Sequence, residues 1–457
     1  MALNNPSAGI ESEQISHDSS VASYCIVGAG PSGLATSRAL SQLDIPHVVY
    51  EKHTDLGGIW DLDNPGTPLY ESAHFISSKW TSGFTGFPMS EAMADYPHHS
   101  EIRRYLNDFA DACDLRRHIR FSTDVARIEP EGAFWRVTFA DGDTALHRGV
   151  ICANGVTWLP SAPSWPGQFD GEIRHSATYR SPSEFAGKRV LIVGLGNSGA
   201  DIACDAARHS EHAVISVRRG YHFLPKHVYG WPIDVHFRRP ELIPTDVRAL
   251  DLRLGVFAVT GDVTRLGLPA PDHELGQAHP LLNTQLLHHL AHGDIEVRPD
   301  IARLDGQSVE FQDGSRIQVD LILLATGYRV QAPYLDASLF DTNGQRVMQY
   351  LNVFNRQHHE LFTVGFAEVA AGIYPLIEQM AHLVARHIND RLRQPSVARA
   401  FEAWKQSDDF DPKGGKRFID SDRHTNYVDL ASYLSHVERL CQRFGWPTLE
   451  SMDVRPA

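Results

Sequence analysis

ASYCIVGAGPSGLATSRALSQL, residues 22–43, is the stretch that decides the fold. A short apolar run turns through Gly28-Ala29-Gly30-Pro31-Ser32-Gly33 and continues as small and apolar residues at helical spacing. Strand, glycine turn and helix in that order predict a βαβ nucleotide-binding unit. The first glycine makes the tight turn, the second lets backbone N–H groups close on a pyrophosphate, and the third lets helix pack on sheet. Pro31 and Ser32 complete that cradle. PHVVYEKHTDLGGIW, residues 46–60, supplies the next strand and ends it on Glu51, where a carboxylate can accept hydrogen bonds from ribose hydroxyls; Lys52 follows.

The device recurs. GKRVLIVGLGNSGADIACDAARH at 187–209 repeats strand, turn and helix through Gly194, Gly196, Asn197, Ser198 and Gly199, and HAVISVRRG at 212–220 gives its second strand. Two copies of one unit imply two nucleotides. At the offset where the first copy has Glu51, the second has Val217 followed by Arg218 and Arg219. Guanidinium groups bind a 2′-phosphate that a carboxylate would repel, so the second nucleotide is expected to be NADP(H); two solvated arginines at a strand end are the alternative. In the first copy Gly57, Gly58 and Ile59 could let the chain pass close under an extended dinucleotide while Trp60 covers it, or Trp60 could be plain core packing. FAD is the dinucleotide long enough to need such cover.

Between and after the two units, FWRVTFADGDTALHRGVICANG (134–155) reads as a β-meander closing on a buried strand, and SVEFQDGSRIQVDLILLATGYR (308–329) as a hairpin leading into another. The strands ending in ANG and ATG look like paired crossing points between domains. The expected architecture is α/β with two Rossmann-like dinucleotide-binding domains, the NADP(H) domain inserted into the FAD domain. The expected boundaries are a disordered leader at 1–20, an FAD-binding domain at 21–180 and 326–457, and the inserted domain at 181–325. Within the latter, about 221–282 exceeds a minimal nucleotide domain and reads equally as a lid or a subunit interface. GIYPLIEQMAHLVARHI opens with Gly372 and Pro375 and runs helical through Gln379, as a helix facing a ligand would.

Bulk properties narrow the function. Lys and Arg number 42 against 56 Asp and Glu, a formal charge of −14, which disfavours nucleic acid and anionic lipid. No apolar run approaches the roughly 18 residues of a membrane helix, and the leader lacks signal-peptide regions, so a cytoplasmic address is expected. Five scattered cysteines without a C-x-x-C pair exclude a redox-active dithiol, and His288 and His292 lack a third ligand of clear spacing, so no metal is expected.

Together GAGPSG, LGGIW, GLGNSGADIA and LLATGY resemble the flavin-containing monooxygenase family of class B flavoproteins. FDGEIRHSATYR, residues 169–180, fits that family's pattern through Phe169, Gly171, His175 and Tyr179. The resemblance implies an NADPH- and O2-dependent enzyme that forms a C4a-(hydro)peroxyflavin and passes one oxygen atom to a soft nitrogen or sulfur, in an amine, hydroxylamine or sulfide. It also implies cofactor contacts from Thr326, Gly327, Tyr328 and Gln379, and a hinge and NADP+ clamp at His175. Tyr179 followed by Arg180 disfavours the related Baeyer–Villiger pattern. The family's asparagine beside the flavin is absent from HFISSKWTSGFTGFPM (74–89); Ser78, Lys79 or Thr81, with Asn197, are the candidates for that face. The alternative is a contact from backbone or the NADP+ amide. That departure leaves room for an oxidase releasing H2O2. A Baeyer–Villiger enzyme, a reductase-type flavoprotein and a non-enzymatic FAD/NADP sensor stay as competing readings, and a homodimer is allowed for.

Overall fold

The computed structural model describes residues 23–340, 342–343, 346–347, 349–421 and 424–449. The expected leader, 1–20, lies outside the described residues.

Two five-stranded parallel sheets carry the architecture. In the first, the strand order is Leu361–Thr363, Gly149–Cys152, Tyr24–Val27, His47–Tyr50 and Ile119–Arg120. Val27 lies opposite Tyr50 on one side and Cys152 on the other. Tyr24–Val27 and Gly149–Cys152 are buried along their whole length. A strand covered on both faces has no solvent side to make polar, which is why both read as unbroken apolar runs. Helix Pro31–Ser41 leaves the first glycine turn and packs against the long helix Tyr374–Arg393.

The second sheet repeats the plan in the order Glu172–His175, Leu321–Leu324, Arg189–Val193, His212–Ser216 and Ile295–Arg298. Helix Asn197–His209 follows its glycine turn. The expected meander forms from Val125–Glu131, Phe134–Phe139 and Thr144–His147, and the expected hairpin from Ser308–Phe311 and Arg316–Gln318. The doubly nucleotide-binding α/β class is therefore correct.

The strand pairing bears on the expected boundary at 180. Glu172–His175 pairs in parallel with Leu321–Leu324 at the edge of the second sheet, and Gly167–Phe169 pairs with Leu304–Gly306. Within the fingerprint segment, Glu172–His175 thus pairs in the second sheet, and Phe169 lies in the four-stranded sheet that also holds Ile301–Gly306. The exposed first half of Glu172–His175, Glu172 and Ile173, and its charged residues hid that strand, because an edge strand buries little and lacks an apolar run. Resumption at 326 is also approximate: the strand that rejoins the first sheet is Leu361–Thr363. Just after the ANG and ATG motifs, Leu159–Pro160 and Tyr328–Arg329 pair antiparallel, so the two crossings touch.

Residues 221–282 form a hairpin at His227–Pro232 and short helices including Ile233–Arg238 and Leu252–Thr260. Bridges Gly220–Pro271 and Phe223–Leu281 pinch the segment at its base, so it leaves and re-enters the second unit at one place. One part lies over residues 78–96, with the Tyr96 hydroxyl donating to the Lys226 carbonyl and His227 facing Asp95 at 2.9 Å. Another part exposes Leu254, Phe257 and Val259.

Candidate functional site

Both glycine turns have the geometry that a dinucleotide cradle needs. Gly28 and Gly194 sit at φ +103° and +106°, a region that disfavours any side chain. A Cβ on Gly28 would fall 2.9 Å from the Ala153 carbonyl oxygen, and one on Gly194 would fall 2.6 Å from that of Ala325. These two alanines belong to ANG and ATG, so each crossing strand closes the back of one turn. Cβ atoms at Gly33 and Gly199 would lie 1.8 and 2.0 Å from the Gly28 and Gly194 carbonyls, fixing how closely each helix meets its strand. The two helices start on Gly30 and Gly196 with no side-chain cap. Free N–H groups at a helix start favour an anion, and a pyrophosphate fits both places.

Around the first cradle, Glu51 is buried and accepts the Ala29 N–H at 2.7 Å and the His53 N–H at 2.9 Å. It therefore braces the glycine turn, with lone pairs left for ribose hydroxyls. Lys52 turns outward over the Trp158 ring, 4.6 Å from its centroid. Gly57 and Gly58 both have positive φ, and a Cβ on Gly58 would be 3.0 Å from the Gly30 Cα and 3.8 Å from Pro31 Cδ, so LGGIW does run against the turn. Ser32 packs under Gly365, where a Cβ would meet its Oγ at 2.2 Å. The Ile59 carbonyl accepts the Thr67 hydroxyl at 2.6 Å. Trp60 is half-buried and packs against the cores of both units, its ring edge-on to Phe75 at 5.2 Å.

In the core of this unit Phe75, Phe84 and Tyr374 form an aromatic cluster, with Tyr374 5.6 Å from Phe75 and stacked on Phe84 at 5.0 Å. The short helix Lys79–Ser82 lies beside it: a Cβ on Gly372 would come within 2.3 Å of Ser82 Oγ. Ser78 Oγ and Ser82 Oγ are buried with no hydrogen-bond partner among the described residues, whereas the buried Tyr374 hydroxyl meets the Trp60 side chain. Orphaned buried polar atoms are costly, and a water, an ion or a ligand can complete their bonding. Lys79 differs from expectation: its Nζ donates to the Glu91 and Met93 carbonyls at 2.7 and 2.5 Å, so the loop takes the ammonium away from this face. Thr81 donates to Asp234 Oδ2 at 2.6 Å, and the same oxygen accepts the Ser78 N–H at 2.7 Å.

Asp234 is the residue that sequence reasoning missed. It comes from the 221–282 segment, and its other oxygen, Oδ1, is buried without a partner. A carboxylate set among apolar neighbours in WPIDVHF was the available signal. Arg238, one turn on, is held below the usual guanidinium pKa by burial, an effect the Asp234 charge opposes.

Around the second cradle, Asn197 accepts the Leu282 N–H at 3.4 Å while its Nδ2 is an orphan. Ser198 bonds Tyr70, whose hydroxyl donates to Asp201 at 3.3 Å; burial raises the pKa of both Tyr70 and Asp201. Arg218 is exposed and carries no ion pair among the described residues, whereas Arg219 is tied to Asp272 at 2.9 Å. The expected pair of free guanidiniums is thus a single one, because an insertion residue engages the other.

At the crossing, His175 is buried, and its Nδ1 accepts the Ala177 N–H at 3.1 Å. Burial lowers its pKa, and the Gly327 backbone opposes that. Its ring meets Tyr328 edge-on at 5.1 Å. Thr326 donates to the Ser161 carbonyl at 2.5 Å, and Gly327 has φ +85°. A Cβ on Gly171 would collide with Phe169 at 2.6 Å and with the Asp320 carbonyl at 2.7 Å, and Tyr179 is fully buried, stacks on Phe185 and donates to Asp205 at 3.0 Å. Gln379 is buried on helix Tyr374–Arg393. No described helix is long and apolar enough to cross a membrane.

The chain is similar to human flavin-containing monooxygenase 5, at 28% identity over 92% of this chain and 82% of the relative. Dimethylaniline monooxygenase [N-oxide-forming] 2 of Cavia porcellus matches at 28% identity with the same coverage. The solved structure of S-allyl-L-cysteine S-oxygenase from Allium sativum shares the fold, with a TM-score of 0.63 and 21% identity over 93% of this chain and 89% of that one. Residues 22–452 match the family described as flavin-binding monooxygenase-like, so the chain belongs to that family and is an FAD-dependent NADPH monooxygenase.

Proposed function

We propose that this enzyme oxygenates a soft nitrogen or sulfur atom of a small amine, hydroxylamine or sulfide. For a tertiary amine the reaction balances as amine, O2, NADPH and one proton giving the amine N-oxide, NADP+ and water. Bound FAD supplies the chemistry that splits O2 between substrate and water. The chain has to bind both nucleotides, keep water out, and hold the substrate beside the flavin. Gly28, Gly30, Pro31, Ser32 and Gly33 receive the FAD pyrophosphate and Glu51 its ribose, while Gly194, Gly196, Asn197, Ser198 and Gly199 receive that of NADPH, with Arg218 at the 2′-phosphate. Phe75, Phe84, Tyr374 and Trp60 exclude water, and Ser78 and Thr81, held by Asp234, present polar atoms in place of an asparagine.

The observation that carries this reading is an uncapped glycine cradle against which Gly58 packs, with Trp60 next to it meeting Phe75, together with buried orphaned hydroxyls at Ser78 and Ser82. We place the inserted unit at roughly 167–325 and the FAD unit in the remainder, supported by the strand pairing. The exposed Leu254, Phe257 and Val259 support a homodimer, and the acidic surface supports a cytoplasmic setting. Incubation with NADPH, 18O2 and a panel of tertiary amines and thioethers tests the function. One labelled oxygen is expected in an N-oxide or sulfoxide; oxidation of NADPH with label only in H2O2 across the panel refutes it.

A further inference from the structure

The end of strand His212–Ser216 is overlaid by a second strip of chain, residues 269–273. Gly220 lets the two meet: a Cβ there would fall 2.3 Å from the carbonyl oxygens of both Pro269 and Ala270. Gly220 bridges Pro271, and His222 Nε2 lies 2.8 Å from the His273 carbonyl. That overlay brings Asp272 onto Arg219, Oδ2 to Nε at 2.9 Å, while Oδ1 faces His273 Nδ1 at 2.8 Å. The hydrogen bond from His273, and then the Arg219 charge, lower the Asp272 pKa, so this carboxylate is anionic through the neutral range.

We propose that Asp272 restrains the enzyme's preference for NADPH over NADH. It engages the Arg219 guanidinium that a 2′-phosphate would otherwise use, and it sets a negative charge beside the phosphate's place. Arg218 is left as the principal anchor. An unphosphorylated ribose, by contrast, can donate its 2′-hydroxyl to the same carboxylate. The inference rests on the reading of the second glycine cradle as the NADP(H) site. At a half-exposed position one charge is worth roughly a factor of five to ten in binding.

The test compares binding of 2′,5′-ADP and 5′-ADP to the flavin-loaded enzyme by calorimetry, together with kcat/KM for NADPH and NADH. Asp272→Asn keeps the shape and removes the charge. It is expected to tighten 2′,5′-ADP and to raise the NADPH/NADH ratio by about five- to tenfold, with 5′-ADP binding no tighter than in the parent and flavin content unchanged. Unchanged or weaker 2′,5′-ADP binding in that variant overturns the proposal, the weaker case meaning that Asp272 serves to position Arg219. Arg218→Ala separates the two layers: it is expected to abolish the advantage of 2′,5′-ADP over 5′-ADP. If it does not, the reading of this strand end fails as well, whatever Asp272→Asn does.

Discussion

With residues 78–82 at the flavin as proposed, removing the Asp234 carboxylate should loosen that turn and divert oxygen into H2O2. Asp234 Oδ2 is the shared acceptor for the Ser78 N–H at 2.7 Å and the Thr81 hydroxyl at 2.6 Å. Both donors sit on buried residues, Ser78 at 0% and Thr81 at 7% exposure. Each buried donor stripped of its acceptor costs about 1–3 kcal/mol. Asp234 itself is only half-buried, so water can re-enter part of the gap; together the two losses come to about 2–4 kcal/mol. Even the lower figure shifts the ordered turn by roughly thirtyfold relative to displaced conformations. We therefore predict that Asp234→Ala lowers the denaturant unfolding free energy of the holoenzyme by that amount. It should also raise the H2O2 formed per NADPH oxidised, measured with a peroxidase-coupled dye. Asp234→Asn retains an acceptor oxygen and should lie much closer to the parent on both readouts. Parent-like stability and parent-like H2O2 yield in Asp234→Ala would show that the insertion does not hold this turn.

The remaining predictions concern the cradles, the crossing and the helical tail. Gly33→Ala and Gly199→Ala each drive a Cβ into a backbone carbonyl, so the first should lose FAD, read as flavin absorbance per protein, and the second should weaken NADP+ binding while keeping flavin. His175→Ala should leave flavin content intact and raise H2O2 release, because His175 meets Tyr328 where the two crossings pair; loss of FAD with intact coupling contradicts this. Glu402, bonded by His387 and Lys405, has its pKa lowered to about 2 despite burial, and burial lowers that of His387. Both depressed values contribute stability at neutral pH that is lost as pH falls, below about 6.5 for His387 and from about 4.5 down to about 2 for Glu402. Glu402→Gln should flatten the lower part of that acid limb in unfolding titrations at pH 3 and pH 6.

Legibility followed how local each constraint is. Gly28 and Gly33 announce themselves because a strand, a turn and a helix must all fit within a few residues, and Glu51 follows at the end of the next strand. The edge strand Glu172–His175 was invisible as a strand, since its partner Leu321–Leu324 is far away in sequence and its own residues are half exposed. Lys79 could not be placed, because only the fold reveals that the Glu91 and Met93 carbonyls lie within reach. Arg218 and Arg219 look equivalent in VRRG; Asp272 distinguishes them, and nothing in the spacing of 219 and 272 signals the pair.

ANG and ATG show why the two units are mechanically linked as well as alike. Each motif places an alanine carbonyl behind a first glycine, so a shift in either crossing strand presses directly on a cradle. The segments that follow, Leu159–Pro160 and Tyr328–Arg329, are hydrogen-bonded to each other, and Thr326 adds a bond to Ser161. The two crossings are thereby tied to each other by a pair of short strands. Tyr179 adds a second tie, since the Asp205 oxygen that accepts its hydroxyl also accepts Ser72, from the loop ahead of the flavin-side turn. On the proposed reading of the two cradles, the fingerprint residues lie where the units are tied together, which is why their substitution is expected to change coupling before it changes cofactor content.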